Sequence, residues 1–307
     1  MTALRVYAQL LRLPNLPTAL ADICLGVLAA GALPLPFSSP VPSVEKGGLI
    51  AFASLLLASA CLYSAGMVWN DYFDREQDRR ERPHRPLPSG RVTPRQAVQL
   101  GVGLLAAGIL LALPAGRTAL AIAICLAAAI LAYDGWLKHT WAGPLAMGTC
   151  RFLNVLLGIS ICGSLMWPLG GRLALIVGLY IAGLTWFART EARTSKQNTL
   201  RGAAMVMLVS LLLALPLPAF LPEGRHSSFV FPYLLVALGF WVGMPVVRAI
   251  KNPTPSQVQA AVKRSLMALI LLDAVLATAT AGTIGLAILL LLLPSLYLNR
   301  KDWLYAT

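Results

Sequence analysis

Asn70, Asp71, Asp74 and Asp78 gather four oxygen-bearing side chains at one point of an otherwise apolar chain, in the run NDYFDREQDRRERPHRPLPSG. Asn70, Asp74 and Asp78 recur every four residues, a spacing that places them on one helix face with Asp71 close beside them. Hard oxygen donors suit Mg²⁺, which takes one or two carboxylates and fills its shell with waters and substrate phosphate oxygens. Arg75, Arg79, Arg80, Arg82, Arg85 and Arg91 come directly among and after the carboxylates. Their forked guanidiniums bind phosphate oxygens two at a time. Together these residues predict a metal–diphosphate site. A basic cytoplasmic loop would account for the arginines but leaves the carboxylates unexplained.

The elements that must hold this site are membrane helices. Of 307 residues, 58% are apolar and only 12% charged, and the mean hydropathy is +0.73, far outside the range of ordinary soluble domains. A net charge of +13 could point to nucleic acid. The basic residues, however, sit in short loops between apolar runs, where membrane topology predicts them. About 20 apolar residues cross a bilayer, and that measure predicts helices near 15–33, 49–72, 95–114, 117–137, 141–166, 172–190, 200–220 and 229–250. The run from 262 to 298 is longer than one span and has Thr280, Ala281, Gly282 and Thr283 near its middle, so it is read as two. The N-terminus, the loops at 73–95, 138–140, 189–201 and 248–264, and the C-terminal tail carry 20 of the 25 Lys and Arg residues. That bias favours ten crossings with both termini cytoplasmic; nine remain open if the last run does not cross twice. The N-terminal residues could pass for a signal peptide, but the many later spans favour an uncleaved first helix. The five cysteines lie inside apolar runs without metal spacing and read as free thiols.

The run from Asn70 to Gly90 resembles the UbiA superfamily of intramembrane prenyltransferases, whose first Asp-rich motif is NDxxDxxxD followed by an RPxRPLPSG-like stretch. The resemblance implies an all-α, polytopic transmembrane bundle of 9 to 10 helices, forming a single domain over 1–307. It implies Mg²⁺ as cofactor, held by Asn70, Asp74 and Asp78 with Asp71 in support. It also implies a polyprenyl diphosphate donor bound by Arg85, and a hydrophobic or aromatic acceptor. The setting it implies is an integral protein of a bacterial inner membrane, with the active-site loops cytoplasmic.

Further segments extend the likeness. Arg12, Leu13, Pro14 and Asn15 resemble the family's first-helix opening, with Asp22 on roughly the same face as Asn15. In YDGWLKH, Tyr133 and Lys138 resemble the family's Tyr and Lys element, which contacts the donor diphosphate. By the same likeness Asp71, Asp74 and Lys138 are the catalytic candidates. An interfacial aromatic belt and a snorkelling lysine are the structural alternative. Asp22, Arg151, Asn154 and Asp273 are polar groups inside apolar spans, costly there, and serve as interhelical partners or cavity groups. Asp273 carries no motif and reads as structural.

The family's second Asp-rich motif, commonly DxxxD after the sixth helix, is altered here to ARTEARTSKQNTLRG. Glu191 is its only acid, and Ser195 stands where a carboxylate is expected. Arg189, Arg193 and Lys196 surround them, so these cations either replace a second metal, with Glu191 orienting them, or mark a lost activity. The donor-binding set is accordingly Arg85, Tyr133, Lys138, Arg189, Glu191 and Arg193, with Asn154 and Asn15 facing the cavity. RFLNVLLG and TEARTSKQN are similar to divergent members such as the EboC-type subgroup. A non-catalytic lipid-diphosphate binder assisting metabolite export is the alternative function. A secondary transporter would need paired broken helices, and none is evident.

Overall fold

The computed structural model describes residues 3–32, 48–191 and 194–299. Arg193, Lys46 and the C-terminal tail from 300 onward lie outside the described residues. Among them every regular element is helical, as a bilayer requires, since a helix satisfies its backbone polar groups within its own segment. An amphipathic α1 (Ala3–Leu10) leads into α2 (Leu16–Ala30), which is buried almost end to end. Next come α3 (Gly48–Phe73), a short α4 (Arg75–Glu81), α5 (Pro94–Leu111), α6 (Arg117–Gly135) and α7 (Gly143–Ile159). The series continues with α8 (Leu169–Ala188), α9 (Gln197–Leu212), α10 (Phe231–Lys251), α11 (Pro255–Ala281) and α12 (Leu292–Asn299).

Among the described residues, eight segments are long and apolar enough to cross a membrane, the last being the 44 residues Pro255–Leu298. Helix α9, with 16 residues, falls short of that length. Most predicted spans agree with the observed helices to within a few residues, but α11 begins at Pro255 rather than near 262. Its first two turns carry Ser256, Gln257 and Gln259 and project beyond the apolar run, so hydropathy alone starts the helix too late.

The last stretch breaks where the cluster of small residues suggested. Gly282 sits at φ 74°, a left-handed conformation that glycine adopts without a Cβ clash, and it ends α11. Ten residues of 3-10 helix (Gly282–Leu291) and then α12 follow, rising about 20 Å and about 12 Å. Three contacts fix the direction. Near the start of α11, Gln259 Nε2 donates to the Glu191 carbonyl at 3.4 Å. Near its end, the Thr278 carbonyl accepts from Ser228 N at 3.1 Å, in the loop before α10. Ser295 Oγ then donates to the Pro14 carbonyl at 3.1 Å, beside Arg12 and the Asp-rich face. The final piece therefore returns to the side from which α11 set out. With α9 counted and this stretch taken as two, the eight spans become ten.

Helices α2 and α7 cross at two glycines. A Cβ on Gly26 would lie 2.6 Å from Ile159 N, and one on Gly158 2.7 Å from the Ile23 carbonyl, so only glycine lets these backbones meet. This close crossing brings α7's polar residues against α2. Helix α11 packs on α2 from another side. All five cysteines are free.

Candidate functional site

Helix α3 ends at Phe73, and Asp74 occupies the joint with α4 at φ −86° and ψ 1°. The continuous helix expected from 70 to 78 is thus bent at Asp74. Helical hydrogen bonds nevertheless bridge the joint, from Asp74 N to the Asn70 carbonyl at 3.0 Å and from Asp78 N to the Asp74 carbonyl at 2.8 Å. The shared face is roughly kept while the side chains diverge. Asp74 Oδ1 meets Lys138 Nζ at 2.7 Å, with His139 Nε2 at 3.7 Å. Asp78 turns the other way, to Arg85 Nη1 at 2.8 Å and Arg82 Nη1 at 4.0 Å. Asp71 lies between Arg12 at 2.8 Å and Arg85 at 3.5 Å. Asp71 and Asp78 are only 3% and 2% exposed, so each needs these cations, because an unpaired buried carboxylate is costly.

Asn70 joins two further elements to the motif. Arg12 Nη2 donates to its Oδ1 at 3.1 Å, and its Nδ2 donates to Asp134 Oδ1 at 3.1 Å. Neither partner was singled out as a site residue from sequence. Arg12 was visible as part of RLPN and Asp134 as part of YDGWLKH, but neither spacing says which distant residue each will meet.

The donors of this face fit a hard divalent ion: carboxylate and amide oxygens, without sulfur. No group of three or more His, Cys, Asp or Glu residues among the described residues forms a closed metal cage. Each carboxylate already faces a cation, so metal binding there would exchange ammonium or guanidinium partners for the ion.

Beside the motif a cavity of about 450 Å³ runs between α2, α3, α6, α7, α8 and α11. Asn70 and Arg12 line it together with Asn15, Tyr133, Asp134, Asn154 and Glu191, while Leu62, Leu126, Ile130, Ile181 and Leu184 supply apolar wall. Of the predicted residues, Asn15, Asn70, Tyr133, Asn154 and Glu191 thus share one cavity. Asp71, Asp74, Asp78, Arg85 and Lys138 form the ion-paired cluster adjoining Asn70. Arg189 is exposed and does not line the cavity. Its guanidinium donates to the carbonyls of Lys138 and Thr140, latching the loop after α8 to the loop after α6. Burial raises the Glu191 carboxyl above its usual pKa, with Arg82 opposing the shift. Ser195 is buried and its hydroxyl is 2.6 Å from that of Thr190, so it serves the loop's own structure.

The amide of Asn154 is engaged by the protein itself. Its Nδ2 donates to Asp22 Oδ2 and to the Ala19 carbonyl, each at 2.9 Å, and its Oδ1 accepts from Ser59 Oγ at 2.8 Å. Arg151 extends this network, with Nη1 2.9 Å from Asp22 Oδ2 and Nη2 2.6 Å from Thr18 Oγ1. Arg151, Thr18, Ser59 and Tyr63 also line the cavity. Their role there was not legible in the sequence beyond the cost of an arginine within an apolar span.

Residues 23–268 match the model of the UbiA prenyltransferase family. Among characterised relatives, a digeranylgeranylglyceryl phosphate synthase of Methanopyrus kandleri is 34% identical over 245 residues, covering 76% of this chain and 84% of its own. Its counterpart in Saccharolobus solfataricus is 28% identical over 258 residues, covering 78% and 86%. A solved structure described as digeranylgeranylglyceryl phosphate synthase in membranes superposes with a TM-score of 0.68 at 20% identity, over 92% of this chain and 99% of that one. A UbiA homologue from Archaeoglobus fulgidus, solved with GPP and Mg²⁺, gives a TM-score of 0.60 at 13% identity over 90% and 99%. These two likenesses establish the fold.

Proposed function

The chain belongs to the UbiA prenyltransferase family, and we propose that it transfers a prenyl group from a polyprenyl diphosphate to a small hydroxyl-bearing or aromatic acceptor within the membrane. The observation that carries this reading is the junction of an oxygen-donor and cation cluster with a largely apolar cavity. The cluster is suited to a diphosphate, and the apolar part of the cavity wall to an isoprenoid tail. The likeness to the Archaeoglobus homologue solved with GPP and Mg²⁺ supports the same pairing of ligands.

In this reading Asn70, Asp74 and Asp78 hold Mg²⁺, and Asp71 holds Arg12 and Arg85 in place. Mg²⁺, when bound, neutralises charge on the diphosphate and eases its departure. Lys138 leaves Asp74 for a diphosphate oxygen, and Arg85, freed in part from Asp78, takes another. Charge-assisted contacts of this kind stabilise the charge that grows as the carbon–oxygen bond breaks. The departing diphosphate keeps the bonding pair, and C1 of the prenyl group becomes an allylic cation captured by the acceptor. Leu62, Leu126, Ile130, Ile181 and Leu184 keep water from that cation. Tyr133 borders the same space. To serve in place of a second carboxylate pair, Arg189 would exchange the Lys138 and Thr140 carbonyls for diphosphate oxygens, with Glu191 on the cavity wall orienting it; Arg193 is assigned the same role from its place in the sequence alone. The positive-inside bias supports a cytoplasmic position for these loops, and the EboC-type placement rests on RFLNVLLG and TEARTSKQN alone.

Purified protein in lipid nanodiscs, given Mg²⁺, labelled polyprenyl diphosphates and a lipid-extract acceptor pool, is expected to release diphosphate and form a labelled lipid product, both lost on chelation. Tight binding of intact donor with no diphosphate release would favour the lipid-diphosphate carrier. The single acid of the altered second motif is the observation on that side.

A further inference from the structure

We propose that Asp134 is a positioning residue for the metal face: by accepting from Asn70 Nδ2 it keeps that amide turned so that Oδ1, the atom a divalent ion takes, points into the cation cluster. This rests on the prenyl-transfer reading, which puts Asn70 among the Mg²⁺ ligands, and adds to that face a residue outside the Asp-rich run. Helices α3 and α6 lie opposite each other in steps of four residues. A Cβ on Gly66 would be 3.3 Å from Ile130 Cγ2, Asn70 Nδ2 is 3.1 Å from Asp134 Oδ1, and Asp74 Oδ1 is 2.7 Å from Lys138 Nζ, just past the end of α6. The first step is apolar and belongs to the cavity wall, and the last is an ion pair of the cluster. Asp134 stands between them, where wall meets cluster.

Asp134 is buried, on a helix that is apolar from Ala119 to Ala132, and it pairs with no cation among the described residues. A carboxyl so placed is costly, and among the described residues its side chain receives a hydrogen bond from Asn70 alone. That bond and the one from Arg12 together fix which way the Asn70 amide faces. A guanidinium only donates, so the Asn70 atom 3.1 Å from Arg12 Nη2 is Oδ1, and the NH₂ group falls to Asp134. An ion ligated by Oδ1 takes the place of Arg12 at that oxygen, and from then on the bond to Asp134 holds the amide. Without that bond the amide can turn over about its last torsion and present NH₂, a donor, to a cation. Partners that orient a metal ligand in this way typically carry about 10- to 100-fold in metal affinity.

The test reads metal binding rather than turnover. Full-length protein in nanodiscs, with an equimolar prenyl thiolodiphosphate, is titrated with Mn²⁺ as a spectroscopic stand-in for Mg²⁺; free ion is read by electron paramagnetic resonance, with the donor alone as the blank and a thermal melt for every variant. Asp134→Leu is expected to weaken Mn²⁺ binding by about 10- to 100-fold. Asp134→Asn keeps an oxygen that accepts from Asn70 and should retain the affinity. In Asn70→Asp/Asp134→Leu the side chain at position 70 offers two equivalent oxygens and has no orientation to keep, so the affinity should return. Asp134→Ala removes the acceptor in another way and repeats the measurement if Asp134→Leu does not fold. Unchanged Mn²⁺ affinity in the folded Leu or Ala variant overturns the proposal. A loss in Asp134→Asn as large as in Asp134→Leu overturns it by making the carboxylate itself a ligand, and a double variant as weak as Asp134→Leu overturns it by making the residue structural. Mn²⁺ binding that Asn70→Ala leaves unchanged takes Asn70 off the metal face and this inference with it, while prenyl transfer stands. Absence of Mn²⁺ binding to the unaltered donor complex overturns the prenyl-transfer reading itself.

Discussion

Replacing Asp74 by Asn preserves the shape of the side chain and removes the charge that faces Lys138 Nζ at 2.7 Å. Asp74 is 19% and Lys138 8% exposed at the side chain, so the contact is shielded though not sealed from water. Lys138 Nζ makes no hydrogen bond there, and an ion pair so placed lies between an exposed pair, worth up to about 1 kcal/mol, and a buried one at about 3–5 kcal/mol; about 1–3 kcal/mol corresponds to roughly 5- to 150-fold in an equilibrium constant. If Asp74 exchanges Lys138 for Mg²⁺ when donor binds, Asp74→Asn should weaken Mg²⁺-dependent donor binding by that factor. Lys138→Met should weaken it through a different partner, the diphosphate itself. The double variant should then lose more donor affinity than the sum of the two single losses, by the energy of the pair that only the unaltered protein gives up on binding, and without ligand the same pair should be coupled in thermal melts. Calorimetric titration of a prenyl thiolodiphosphate at fixed Mg²⁺, on both single variants and the double variant, measures this directly. Unchanged donor affinity in Asp74→Asn would refute the assignment of the metal face. Strictly additive losses in the titration, with coupling still present in the melts, would show that Lys138 never leaves Asp74.

Arg85→Met leaves Asp78 with only Arg82 at 4.0 Å, and Asp71 with Arg12. Breaking a buried pair costs about 3–5 kcal/mol, and the partial exposure of Arg85 places the expected loss toward the lower end, read as a lower midpoint in denaturant melts together with weaker donor binding. Gly26→Ala drives a Cβ to 2.6 Å from Ile159 N and should destabilise the α2–α7 crossing by about 1–3 kcal/mol, whereas Gly103→Ala, with open space around it, should not. Reporters inserted within 82–90 and fused after Thr307 should both register the cytoplasm; an external signal from the C-terminal fusion alone would mean that the last stretch does not recross.

Much of the fold was legible because hydropathy and helix length are local properties. Apolar runs between basic loops mark the spans, and the small residues from Thr280 to Thr283 mark the break in the last run, where Gly282 adopts a φ of 74°. The start of α11 was less visible because Ser256, Gln257 and Gln259 extend that helix past its apolar run. The bend at Asp74 was also hidden. A four-residue spacing says that Asn70, Asp74 and Asp78 share a face, but Lys138 and Arg85 pull the two carboxylates apart, and neither lies on that helix.

The same distinction separates the two poles of the cavity. The Asp-rich pole announces itself because its ligands are neighbours in sequence, so their types and spacing can be read together. The inner pole is assembled from pairs such as Arg151 with Asp22 and Asn154 with Ser59, separated by 129 and 95 residues, and no local pattern links them. What sequence does register is expense: an arginine, two aspartates and an asparagine inside apolar helices cost several kcal/mol unless they are mutually satisfied. That expense predicts a network without naming its members. Asp273 is the hardest member of that set to read: it is 0% exposed, carries no motif, and neither of its oxygens receives a hydrogen bond, so neither spacing nor contact names a partner for it.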